Sequence, residues 1–178
     1  MLIYILIALA AAALVFLIIV AIQPAEFLIT RSANISAPAS TVFALVNDFH
    51  KWMAWSPWEG IDPALKRTYE GPPAGTGTIY SWAGNNKVGE GRMTLTESHP
   101  GDRILIKLEF IKPFKATNIT EFIFKPNGNQ TTVTWNMSGR HNFMSKAFCM
   151  FMNMDKTVGG QFEQGLAKMK SVAESGQN

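Results

Sequence analysis

Apolar residues recur along this chain with two different periods, and the change of period marks out its parts. From about residue 64 to 139 the period is two, which is the mark of strands with one buried face. Over 103–111, Ile104, Ile106, Leu108 and Phe110 fall on one side, opposed by Lys107 and Glu109. Over 131–139, Val133, Trp135 and Met137 alternate with Thr132, Thr134, Asn136 and Ser138. Further strands are predicted over 65–70, 77–83, 89–98 and 116–125. Gly84-Asn85-Asn86, Pro100-Gly101-Asp102 and Pro126-Asn127-Gly128-Asn129 are turn signals between them. Strands this short, joined by turns, predict a six-strand antiparallel meander. An earlier strand is predicted over 27–35.

The period lengthens to the helical one near the C-terminus. Val158, Phe162, Leu166, Met169 and then Val172 or Ala173 form a single apolar stripe over 155–174, with Asp155 as its N-cap. Such a helix is about 27 Å long and must bury that stripe against another element. The meander is the available partner. Between the first strand and the meander, a short helix over 42–47 is capped by Ser40 or Thr41. The run over 50–58 holds three tryptophans, with Trp52 and Trp55 on one helical face of a second short helix. The predicted class is therefore α+β: a curved antiparallel sheet wrapped around a long C-terminal helix, with two short helices after the first strand.

Leu2–Ile22 contains no charged residue. About 21 helical residues span roughly 31 Å, the thickness of a bilayer's hydrocarbon core. The segment lacks the basic start and short apolar core of a cleavable signal peptide. It is expected to be a single-pass anchor that ends near Pro24, with 1–25 as anchor and linker and 26–178 as the second domain. The expected location is the cell membrane, on a side that the flanking charges leave open. The Met- and Phe-rich run over 143–154 is expected to be a buried lead-in helix; a cavity mouth or a surface leaning on the bilayer is the alternative.

Charge adds little. The net charge is +3 without a basic cluster, so nucleic acid is not an expected partner. Cys149 is the single cysteine and cannot form an intramolecular disulfide. His50, His99 and His141 lack metal-ligand spacing, and neither a metal nor a cofactor is expected. Strand carboxylates should mostly face solvent. Glu97 is the exception if it shares the face of Met93 and Leu95, and Glu121 if it shares an inward face with Ile119 and Ile123. A carboxylate turned inward would be a general acid or a ligand anchor.

Several segments carry a family resemblance: Arg31 to Pro38, Val42 to Phe49, Trp55-Ser56-Pro57-Trp58, Gly89 to Thr94, Thr134 to Gly139 and Phe151 to Lys156. In these the chain resembles the bacterial polyketide cyclase/dehydrase branch of the START-like superfamily, which shares the helix-grip fold of the birch-pollen allergen. The resemblance implies a deep apolar cavity between sheet and helix, and hydrophobic ligands such as lipids, sterols or polyketides. Trp52, Trp55, Tyr80, Trp82, Phe110, Phe122, Trp135, Met137 and Phe162 are the expected lining. The expected function is membrane-tethered binding of a hydrophobic or amphipathic small molecule: a lipid, a quinone or a polyketide-like compound. Two alternatives stay open. One is a cyclase or dehydratase with a single acid/base residue in the cavity. The other is a protein-interaction module, as in the heat-shock-ATPase activators of this fold, docking through an exposed tryptophan run.

Overall fold

A computed structural model describes residues 1–176. Helix α1 (Leu2–Ile22) is followed by strand β1 (Glu26–Ile35), helix α2 (Ala39–Asn47) and a 3-10 helix (Phe49–Ala54). Strands β2 (Lys66–Glu70), β3 (Ile79–Ala83), β4 (Glu90–His99), β5 (Arg103–Lys112), β6 (Ala116–Asn127) and β7 (Gln130–Arg140) come next. Helices α3 (Phe143–Cys149) and α4 (Met154–Ser175) complete the chain. The seven strands form one antiparallel sheet in the order β1-β7-β6-β5-β4-β3-β2. The first strand thus closes against the last, and α4 lies across the concave face. This is the helix-grip arrangement expected from the pattern.

The alternation puts Ile104, Ile106, Phe122, Phe124, Val133 and Trp135 on the buried face. The stripe of α4 meets them with Phe162, Leu166, Met169 and Ala173, while Val172 stays half-buried. Close approach is possible because Gly165 faces Trp135 and Pro57; a Cβ there would stand 2.9 Å from Trp135 Cζ3. Trp135 and Phe162 stack with centroids 4.1 Å apart and planes 6° from parallel. Helix α2 inserts Val42, Phe43 and Val46 into the same core.

Several expectations change in detail. Helix α2 starts at Ala39 after Pro38, without a side-chain cap from Ser40 or Thr41. Asn153, not Asp155, caps α4, its side chain accepting from the Lys156 amide. Asp155 instead takes the Arg31 guanidinium, 3.0 Å away, and Glu163 takes its Nε at 2.6 Å. These contacts hold the first turns of α4 on β1. The expected buried lead-in helix is also revised: none of the residues of α3 is buried.

Neither strand carboxylate turns inward. A β-bulge between Leu95 and Glu97 shifts the register by one, so Glu97 pairs with Leu105 on the outer face. There it meets Arg103 at 2.8 Å. Glu121 does share a face with Ile119 and Ile123, but it is the outer face, since Phe122 and Phe124 are the buried pair. Glu121 accepts from Asn136 Nδ2 at 3.0 Å.

Candidate ligand cavity

Sheet and helix do not pack together along their whole length. Where β3 to β7 curve away from the first turns of α4, a cavity of about 300 Å³ remains. A space of this size is at the small end of ligand pockets. Each wall comes from a local rule. Strand periodicity turns Tyr80 and Trp82 of β3, Met93 of β4, Leu108 and Phe110 of β5, and Trp135 and Met137 of β7 into it. The 3-10 helix contributes Trp52, whose indole N–H donates to the Val46 carbonyl at 2.9 Å. That bond returns the polar edge of the ring to the end of α2 and leaves its apolar body for the cavity. Met154 and Val158 of α4 and Val88 of the β3–β4 loop, with the exposed Lys87, frame the mouth.

Of the nine aromatic and methionine positions expected on the wall, Trp52, Tyr80, Trp82, Phe110, Trp135 and Met137 border the cavity. Trp55, Phe122 and Phe162 do not reach it. Trp55 ties its indole N–H to Leu45 at 2.9 Å and packs edge-on against Phe122 and Trp135. Phe122 stacks behind Trp135 at 4.8 Å, and Phe162 lies flat on the same ring. All three back the wall and fix the orientation of Trp135. Trp52 and Trp55 are buried and Trp58 is half-buried against the core and the cavity, so this run offers no exposed tryptophan patch for docking.

The polar groups of the cavity escaped the sequence reading. Glu59, just beyond the tryptophan run, accepts from Arg67 Nε at 2.7 Å and from the Tyr80 hydroxyl at 2.9 Å. Burial pushes the Tyr80 phenol up, and the Glu59 carboxylate reinforces the shift, so Tyr80 stays a donor. The Glu59 hydrogen bond also raises the Arg67 guanidinium further above its ordinary value. Opposite, Asn118 and Thr120 of β6 are buried polar residues on the wall, and Ser56 adds a hydroxyl. Asn118 Nδ2 has only a weak contact with Met137 Sδ, 3.9 Å away. Trp135 Nε1 is buried without a hydrogen-bond partner among the described residues. The signal for Asn118 and Thr120 was their parity with Phe122 and Phe124. Glu59 has no local signal, because its partners are 8 and 21 residues away.

The ionisable side chains lining the cavity are Glu59, Tyr80 and Lys87. His50 lies against Asp48, His99 against Glu97, and His141 stacks on Phe27, all away from the wall. Among the described residues, His, Cys, Asp and Glu form no group of three or more that could hold a metal.

Solved structures share this architecture. A protein of unknown function from Staphylococcus aureus superposes with a TM-score of 0.65 at 9% identity, over 88% of this chain and 98% of that one. A solution structure from Thermobifida fusca gives 0.61 at 22% identity, over 80% and 90%. The di-domain ARO/CYC protein StfQ of the steffimycin biosynthetic pathway gives 0.63 at 11% identity, over 85% of this chain but 51% of that one. At these identities the likeness is one of fold. Among curated proteins no sequence match is found. Residues 26–174 match the family model described as "Polyketide cyclase / dehydrase and lipid transport". That match runs from the first residue of β1 nearly to the end of α4, and by it the chain belongs to the polyketide cyclase/dehydrase and lipid transport family.

Proposed function

We propose that this protein is a membrane-tethered binder of a hydrophobic or amphipathic small molecule, held in the cavity between the sheet and α4. The observation that carries the reading is the cavity itself: a mainly apolar wall with a few polar side chains set into it. Aromatic and methionine side chains favour an alkyl or ring body, and Asn118 and Thr120 offer hydrogen bonds to a polar end. In this reading α1, long and apolar enough to cross a bilayer, anchors the domain 26–178 in the cell membrane. The tether keeps the cavity where greasy compounds are concentrated and raises effective concentration without new contacts.

A cyclase or dehydratase is the second reading, favoured by the Glu59–Tyr80 pair at the wall. Binding is preferred because both Glu59 oxygens are already engaged, one by Arg67 and the other by Tyr80. A photoactivatable fatty acid offered to the full chain in native membranes tests the proposal. Adducts should map to peptides holding Met93, Leu108 or Met137, and Thr120→Trp, which fills the space, should abolish them. Adducts confined to α1 and α3 would refute it.

A further inference from the structure

Helix α3 leaves its apolar side chains in the open. Met144 is 74% exposed, Phe148 56%, and Phe151, just beyond the helix, 82%. The β5–β6 turn presents Phe114, 78% exposed. Register places the turn and the helix at one end of the sheet: Ala116 pairs with Phe110, Asn118 with Gly139, and Arg140 with Glu26.

The contacts of α1 say what these side chains lie against. Phe16 packs on Phe151 with ring centroids 6.5 Å apart, and Lys146 Nζ donates to the Ala21 carbonyl at 3.1 Å. Phe16 lies six residues inside the helix end at Ile22, a depth of about 9 Å at the helical rise. With α1 across a bilayer, Phe151 is at that depth, which is how far an interfacial amphipathic helix sinks its apolar face, about 5–10 Å. Lys146 then stands at the boundary, satisfying a carbonyl of α1's last turn within reach of the headgroups. Lys115 beside Phe114, and Lys87 at the cavity mouth, bring further positive charge to this end.

We propose that α3 and the β5–β6 turn form a docking face that sinks into an anionic bilayer surface and turns the cavity mouth, between Val88 and Met154, toward the lipid. The proposal rests on α1 crossing the membrane. Continuity argues for lipid as the occupant: α4 begins at Met154, three residues beyond Phe151, so the mouth and the inserted ring share one short segment.

Spin labels test it on the full chain carrying Cys149→Ser, in vesicles of phosphatidylcholine and phosphatidylglycerol. Labels replace Phe114 or Phe148, with Lys168 on the solvent side of α4 as reference. The first two should be about tenfold less accessible to a water-soluble nickel quencher than the third, as expected for residues below the headgroups. Reversing Lys115 and Lys146 to Glu should weaken insertion by more than about fivefold per residue, since each loses an attraction and gains a repulsion. Equal accessibility at all three sites, in protein that survives an alkaline wash, would overturn the docking face alone. Protein lost in that wash would overturn the anchor and the docking face with it. Insertion unchanged by the charge reversals would overturn the anionic surface as partner.

Discussion

Glu59 and Arg67 form the ion pair that borders the cavity, and its removal has a cost that can be worked out. Their side chains are 10% and 21% exposed, with Nη2 and Oε2 2.6 Å apart. Charge centres about 4 Å apart attract by about 4 kcal/mol at an effective dielectric of 20. Most of that offsets desolvation, so the pair as a whole adds little. Breaking one side is different, because the other charge stays behind mostly covered. Glu59→Gln keeps an acceptor for Tyr80 and removes the charge, which should cost about 2–3 kcal/mol, near the low end for a buried pair. Glu59→Ala also strands the Tyr80 hydroxyl and should cost about 1 kcal/mol more. Arg67→Met should match Glu59→Gln, while Glu59→Leu with Arg67→Met should return to within about 1 kcal/mol of the parent. Urea unfolding of these variants and of Glu59→Leu alone, with Glu59→Leu and Arg67→Met compared as a double-mutant cycle, measures the coupling. Strict additivity, or a Glu59→Gln cost under about 0.5 kcal/mol, would refute a coupled, desolvated pair.

Other consequences are as direct. The Arg31 hydrogen bonds hold the Asp155 carboxyl below its usual range, so that contribution is present above about pH 4 and lost as pH falls through the lowered value. Arg31→Met should therefore flatten the fall of the urea midpoint on acidification; an unchanged profile would contradict the assignment. Burial raises both Tyr69 and Tyr80, so neither should ionise with free tyrosine near pH ~10 in a phenolate absorbance titration. Glu59→Gln should move both back toward that value, Tyr80 further because it also loses its bond to the carboxylate, and Tyr69 and Tyr80 both titrating normally in the parent would disprove the buried arrangement. Gly165→Leu must displace Trp135 or Pro57, whose Cδ would be 3.0 Å from the new Cβ. It should cost about 2–3 kcal/mol by overpacking, read as a lower thermal midpoint.

Much of the fold was legible because its elements are strongly periodic. The alternation in β5 and β7 and the stripe of α4 place the same residues inward as their spacing predicted. The face of Glu97 was left open by its spacing, and a bulge, which adds one residue without a sequence mark and reverses every later side chain in β4, decides it. For α3, apolar composition suggested burial. Composition alone cannot separate a core from an exposed apolar face, since both can be rich in Met and Phe. The division of aromatics between the cavity wall and its backing was equally hidden. Phe122 and Trp135 share the inward parity of their strands while Trp55 follows the 3-10 helix, and their stacking order depends on contacts made across three elements. The Glu59–Arg67–Tyr80 cluster lies beyond reach for the same reason.

Native mass spectrometry of the full chain, released from the membranes in which it was made, tests the binding proposal most directly. The account predicts one apolar adduct of defined mass per chain, absent from a folded Thr120→Trp variant. A parent protein that carries no adduct, or one that the Thr120→Trp protein carries equally, would contradict it.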